Sequence, residues 1–134
     1  MAGYSGAPLV KKLGIREAMQ VVVLNRPAGY EELLGTLPEG ASIASRPRGE
    51  MAFVHLFVTS AADLGATLKR LRKTIARDGV IWVSWPKRAS KVATDVTEDV
   101  IRAIALPMGF VDIKVCAVDD VWSGLKLVIR KSER

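Results

Sequence analysis

The feature that most constrains the fold is a series of apolar, strand-like runs separated by helical patterns. Three strong runs, residues 19–24, 51–58 and 80–85, are rich in β-branched and aromatic residues and show little polar alternation. Such runs are typical of strands covered on both faces, and therefore of parallel strands inside a sheet. Strands that alternate with helices through short connections pair in parallel with right-handed crossovers.

Two helical patterns connect or follow these strands. Ser60 is predicted to begin the first helix, with Asp63 in the capping-box position. We expect that helix to end at residues 78–79, with Gly79 in the left-handed conformation that often follows a helix. Asp95 and Glu98 resemble a second capping box, which opens a helix that ends before residue 107. Shorter helices are predicted at residues 8–13 and 30–37, and a short edge strand at 42–45.

Residues 110–118 and 121–130 are predicted to form the last two strands. Only Asp119 and Asp120 separate them, so they should pair as an antiparallel hairpin. Gly124 suggests a bulge or turn in the second of these strands. The pattern predicts a three-layer α/β/α sandwich with a mostly parallel sheet, closed by a C-terminal antiparallel hairpin. We expect residues 121–130 to form an exposed edge, which makes a homodimer an open alternative.

Length and composition indicate one domain that spans residues 1–134. The longest apolar run, residues 103–111, is about half the ~20 residues that a membrane helix needs. With a single cysteine, Cys116, no intrachain disulfide can form, so we expect a cytoplasmic protein without a membrane anchor. Cys116, His55 and Trp82 are expected to be buried core residues, and one His with one Cys predicts no metal site.

The net charge of +6 raises the question of an anionic partner. Four basic residues crowd the first long helix, where they form either a solvated face or a patch that contacts nucleic acid: Lys69, Arg70, Lys73 and Arg77. Exposed aromatic residues or a recognisable reading element would normally accompany nucleic-acid binding. Aromatic residues make up only 6% of the chain, so this indication is weak.

Polar and aromatic residues are also predicted at the carboxyl ends of the parallel strands. Ligands of open α/β sheets gather at this edge. The candidate ligand-binding residues are Asn25, Ser60, Trp85, Lys87 and Asp95. Together they would supply an aromatic face, a cation, hydroxyls and a helix N-terminus, which suits an anionic or aromatic small molecule. No arrangement of nucleophile, acid and base is visible, so we predict no catalytic residue.

Several segments resemble a bacterial family of uncharacterised domains. The resemblance rests on residues 3–6 (GYSG), 11–14 (KKLG), 82–87 (WVSWPK), 94–95 and 121–126 (VWSGLK). That family implies no activity, substrate or cofactor. The order of elements, with its closing antiparallel pair, also resembles a small Rossmann-type S-adenosylmethionine-dependent methyltransferase domain.

The methyltransferase resemblance implies a Gly-rich turn after the first strand and a carboxylate after the second. Here the first strand is followed by Asn25, Arg26 and Pro27, and the turn keeps one glycine, Gly29. No carboxylate follows residues 42–45 until Glu50. We therefore expect no cofactor and a non-catalytic domain that binds an anionic small molecule or a protein partner. The alternatives are a divergent methyltransferase-like enzyme and a nucleic-acid-associated protein.

Overall fold

Strands and helices alternate along the chain in the predicted order. The computed structural model describes residues 8–134, so the GYSG segment lies outside the described residues. The strands are β1 (Gln20–Leu24), β2 (Ser42–Ala44), β3 (Met51–Phe57), β4 (Ile75–Pro86), β5 (Phe110–Ala117) and β6 (Trp122–Ile129). The helices are α1 (Leu9–Leu13), α2 (Tyr30–Leu34), α3 (Ala61–Thr74) and α4 (Glu98–Ala105).

The six strands form one sheet in the order β2-β1-β3-β4-β6-β5. The first four strands in this order run parallel, and β6 is antiparallel to both of its neighbours. This confirms the mostly parallel sheet with a closing hairpin. The expectation that residues 121–130 form the exposed edge is wrong, because β6 lies between β4 and β5. The apolar side chains of β6 at Leu125, Leu127 and Ile129 are buried there, and β5 is the edge strand.

Helices cover both faces of the sheet and complete the three predicted layers. On one face, α3 and α4 bury leucine and isoleucine side chains such as Leu64, Leu68 and Ile101. On the other face, α1 and α2 pack Leu13 and Tyr30 against a second apolar cluster. The two clusters sit on opposite sides of β4, because successive residues of a strand point to opposite faces.

Trp82 fills the centre of the face beneath α1. The side chain is 0% exposed, and its indole Nε1–H donates to the backbone carbonyl of Leu13 over 2.9 Å. Gly124 makes room for this ring, since a Cβ at Gly124 would lie 3.2 Å from Cε3 of Trp82. Gly124 pairs in regular register with Ser84 on β4, so the prediction of a bulge or turn at Gly124 is wrong. The irregularity of the hairpin lies between Asp112 and Lys114.

The boundary between α3 and β4 differs from the prediction. The helix ends at Thr74, and Ile75 already has an extended backbone, so Arg77 lies in β4. Gly79 does not adopt a positive φ, and the need for glycine there is spatial. A Cβ at Gly79 would lie 2.8 Å from Cγ1 of Ile75.

Two further expectations are corrected. α4 is capped by Thr97, whose Oγ1 accepts from the backbone N–H of Val100 over 3.1 Å, and Asp95 has another partner. Cys116 is half-buried, since it lies on the edge strand β5. Burial still raises the pKa of its thiol and outweighs the opposite effect of the nearby Lys12 and Lys114, so the thiolate is not favoured.

Candidate functional site

The carboxyl ends of β1, β3 and β4 meet along one side of the sheet, which we call the carboxyl edge. From β1 the sheet extends to β2 on one side and to β3 on the other, so the strand order reverses at β1. Crevices at such a reversal are the usual ligand sites of open α/β sheets. Asn25, Ser60, Trp85 and Lys87 lie at the ends of these strands or in the turns that follow them, and Asp95 lies in the loop between β4 and α4.

Asn25 ties the ends of β1 and β3 together. It has a positive φ of 59°, a conformation that asparagine tolerates better than most residues. Its Nδ2 donates to the backbone carbonyl of Phe57, the last residue of β3, over 3.0 Å. The side-chain amide therefore spans the crevice between the two strands.

Ser60 and Asp95 come together at the amino end of α3. Ser60 Oγ accepts from the backbone N–H of Asp63 over 3.2 Å, which confirms Ser60 as the N-cap. Asp95 Oδ1 accepts from the backbone N–H of Ala61 over 2.7 Å. The neighbouring Thr94 hydroxyl donates to the backbone carbonyl of Thr59, also over 2.7 Å. The chain's own carboxylate thus holds the position that an anionic ligand would take at this helix end.

A cavity of about 490 Å³ lies beside Trp85, and we call it the Trp85 cavity. Trp85 is 8% exposed and is one of the lining residues of this cavity. Arg88 and Lys91 line it as exposed cations, and neither makes an ion pair with any residue of 8–134. The remaining lining residues are Pro86, Val92, Ala93, Thr94, Val96, Thr97 and Glu98.

Lys87 follows β4 directly, but it is not one of the lining residues of the Trp85 cavity. Its backbone N–H donates to the carbonyl of Val121 over 2.7 Å, and the residue is half-buried. The structure therefore divides the predicted residues. Trp85 borders a cavity, Ser60 and Asp95 cap a helix, and Asn25 links two strand ends. Arg88 and Lys91 were not among the candidate residues, and the cluster of basic residues at 87–91 is the sequence signal that could have found them.

Three buried polar side chains form a hydrogen-bonded chain on the face of the sheet beneath α2. Tyr30 Oη lies 2.7 Å from His55 Nδ1, and His55 Nε2 lies 2.7 Å from Ser84 Oγ. All three residues are 0% exposed. Burial lowers the pKa of His55 to about 3 and raises that of Tyr30, so His55 is neutral. The expectation of a core histidine is confirmed, whereas no local sequence pattern indicated its two hydroxyl partners.

Residues 8–134 contain no cluster of three or more His, Cys, Asp or Glu side chains that could hold a metal ion. Within the same range, every helix is too short or too polar to span a bilayer.

Solved structures with a similar architecture include methyltransferases. One from Aquifex aeolicus has a TM-score of 0.61 at 15% identity, over 94% of this chain and 90% of that chain. A ribosomal-protein methylase from Lactobacillus delbrueckii has a TM-score of 0.60 at 11% identity, over 91% and 75%. The DhpI–SAH complex has a TM-score of 0.59 at 12% identity, over 92% and 83%. No family model matches the chain, and no curated protein matches its sequence.

At this level of identity the likeness concerns the fold. The chain has a Rossmann-like, methyltransferase-like α/β fold, which confirms the predicted fold class. The likeness to the bacterial family of uncharacterised domains stays a prediction.

The residues after β1 and β2 do not fit the adenosyl cofactor that the methyltransferase resemblance implies. Arg26 donates to Glu31 Oε2 over 2.7 Å and to Ser45 Oγ over 3.2 Å. Because Ser45 directly follows β2, this guanidinium lies where a ribose-binding carboxylate would be expected. The Asn25 amide bridges the neighbouring crevice, and Pro27 stiffens the turn.

Proposed function

We propose that this chain is a divergent methyltransferase-like domain that binds a small anionic ligand with a planar or apolar part. The binding site is the Trp85 cavity at the carboxyl edge. The observation that carries the proposal is the presence of Trp85 and two cations, Arg88 and Lys91, in the lining of one cavity of about 490 Å³. This volume is within the range of small-molecule sites, roughly 300–1,000 Å³.

The physical reason for an anionic ligand is the charge around the cavity. Glu98 is the one acidic residue in its lining, and Glu98 is already paired with Arg102 on the same helix. The charges of Arg88 and Lys91 are therefore not balanced locally. An anion gains attraction to both, and a ring or apolar group gains contact with Trp85.

The test is a thermal-shift screen with nucleotides and acidic metabolites, followed by titration of the best ligand. Arg88→Gln combined with Lys91→Asn removes both charges, and asparagine tolerates the positive φ of 61° at position 91. We expect this variant to bind at least tenfold more weakly. The matched control, Lys69→Gln with Arg70→Gln, removes two exposed charges from α3 and should bind normally. A flat profile across the panel would reject a small-molecule ligand and favour a protein partner.

Methyl transfer is the second candidate, and the observation that favours it is the likeness in fold to methyltransferase structures. Calorimetric titration with S-adenosylmethionine and S-adenosylhomocysteine separates it from the first proposal. Heat that saturates with one ligand per chain would support a methyltransferase with an altered cofactor site. The absence of heat at millimolar ligand would end this candidate and leave the Trp85 cavity proposal unaffected.

A further inference from the structure

The two faces of the sheet are covered unequally. α3 and α4 contain 14 and 8 residues, whereas α1 and α2 contain 5 residues each. The short helices leave part of their face open at the amino ends of β3 and β4. A cavity of about 540 Å³ lies there, and we call it the amino-edge groove. It is separate from the Trp85 cavity, because the two lie at opposite ends of the parallel strands and share no lining residue.

The groove has an apolar floor and roof. Phe53 and Val80 contribute to the floor from neighbouring strands β3 and β4. Leu13 and Ile15 line it from the last turn of α1 and the segment that follows. Met19, which is half-buried, lies at the entrance to β1. A ring or a branched alkyl group would bury apolar surface between these two layers.

Lys126 is the unusual residue of this groove. It lies in β6, between β4 and β5, and its neighbours Leu125 and Leu127 point to the α3–α4 face. Lys126 therefore points to the same face as Trp82, its partner in register on β4. Lys126 is half-buried and lies where this face is open, so its ammonium group can reach the groove. A half-buried ammonium group usually has a carboxylate partner. Lys126 makes no ion pair or side-chain hydrogen bond with any residue of 8–134.

Two further cations border the same groove. Lys11 lies in the last turn of α1 and Arg16 shortly after it, and both are exposed. Neither makes an ion pair within residues 8–134. Asp78 is the one acidic lining residue. Three cations against one carboxylate leave the groove with a local charge of +2, while its interior is apolar.

We propose that the amino-edge groove binds a small amphiphilic anion, in which a phosphate or carboxylate is attached to an aryl or short alkyl group. The anionic group pairs with Lys126 and is approached by Lys11 and Arg16. The apolar part lies between the floor at Phe53 and Val80 and the roof at Leu13 and Ile15. This site is independent of the proposed function at the carboxyl edge.

The experiment is an NMR titration with phenyl phosphate, with inorganic phosphate and phenol as separate arms. The indole N–H of Trp82 is a built-in reporter, because it donates to the carbonyl of Leu13 in the lining of the groove. We expect phenyl phosphate to shift this resonance and the amides of Phe53, Val80 and Lys126. Inorganic phosphate and phenol should each bind at least tenfold more weakly, since each lacks one half of the required chemistry.

Lys126→Met keeps the aliphatic stem and removes the charge, and Lys69→Met on α3 is the matched control. We expect Lys126→Met to weaken phenyl phosphate binding at least tenfold. The melting temperature should stay the same or rise, because the substitution removes an unpaired charge from a half-buried position. Lys69→Met should bind like the unaltered protein. The proposal is overturned if phenyl phosphate shifts no resonance of the groove, or if Lys126→Met binds it unchanged. Equal binding of inorganic phosphate would also overturn it, as would a melting temperature of Lys126→Met several degrees lower.

Discussion

At the scale of single residues, His55 is a titratable side chain that is completely buried. It is enclosed by Tyr30, Ser84 and the ring of Phe57, whose centroid lies 4.3 Å from that of the imidazole. Both ring nitrogens have hydroxyl partners, so the neutral form is well accommodated. The protonated form would place an unpaired charge in the core, which is why burial lowers the pKa of His55.

This pKa predicts how stability depends on pH. The folded pKa of about 3 lies below the ordinary value of 6.5, so the unfolded chain takes up a proton first as the pH falls. The contribution of neutral His55 to the free energy of unfolding is therefore fully present above about pH 6.5 and is lost progressively towards pH 3. Between pH 7 and 5 we expect the free energy of unfolding to fall by about 2 kcal/mol.

The measurement is urea unfolding at a series of pH values from 7 to 5. His55 is the only histidine in the chain, so His55→Gln should be less stable at pH 7 yet show a much flatter pH dependence in this window. The same slope in both proteins would contradict the assignment of this dependence to His55.

Gly124 supports a second prediction at this scale. A methyl group at this position would lie 3.2 Å from Trp82 Cε3 and 3.3 Å from Val118 Cγ2. The indole is held by its hydrogen bond to Leu13 and has little freedom to move away. We expect Gly124→Ala to lower the free energy of unfolding by about 1–3 kcal/mol, as overpacked cores usually do. Gly65→Ala on α3 is the control, since its nearest contact would be 3.9 Å away and alanine favours a helix. An unchanged denaturation midpoint for Gly124→Ala would show that the indole ring of Trp82 moves aside without loss of stability.

At the scale of elements, the loop after β4 and the start of α3 stabilise each other. Asp95 satisfies the backbone N–H of Ala61, and Thr94 satisfies the carbonyl of Thr59. A carboxylate at this end of the helix also interacts favourably with the helix dipole. The loop that lines the Trp85 cavity is thereby attached to the end of β3, so the shape of the cavity depends on this cap.

We expect Asp95→Ala to lower the free energy of unfolding by about 1–2 kcal/mol, because a helix cap is lost. Hydrogen exchange in residues 88–96 should become faster, because the loop loses its attachment. Asp120→Ala removes an exposed carboxylate from the hairpin turn and should change neither property. If Asp95→Ala leaves stability unchanged and abolishes ligand binding, Asp95 is a ligand-binding residue and its capping role is secondary.

At the scale of the whole molecule, the charge of +6 is spread over several surfaces. Lys69, Arg70 and Lys73 are exposed on α3, while Arg77 has moved from the expected helical face to β4. The large aromatic side chains of Trp82, Tyr30, Phe53, Phe57 and Phe110 are buried. Among the described residues, these aromatic side chains are therefore not available to stack on nucleic-acid bases. Binding of nucleic acid would depend on contacts between the exposed cations and phosphates.

We expect any association with duplex or single-stranded nucleic acid to be weak and independent of sequence. It should fall steeply between about 50 and 200 mM salt, because each phosphate contact releases counterions. Gel retardation across this range tests the expectation. Replacing Lys69, Arg70 and Lys73 with glutamate should abolish retardation at low salt. Binding that resists salt, or that survives these replacements, would contradict it.

Local sequence patterns account for the type and order of the elements along the chain. The apolar runs, the Ser60 cap and the turn signal at Asp119 and Asp120 are local patterns, and the structure contains the strands, the cap and the hairpin that they predict. The connection in the hairpin is longer than predicted and comprises residues 118–121. The sequence did not predict which strand of the hairpin pairs with β4, because both β5 and β6 carry enough apolar residues to lie inside the sheet.

The site depended on the tertiary structure. Asp95 meets Ala61 across 34 residues of chain, and His55 meets Tyr30 and Ser84 across 25 and 29. No local pattern encodes such pairs, since they form only when packing brings distant elements together. The cavities arise in the same way, as the space left where helices of unequal length cover one sheet.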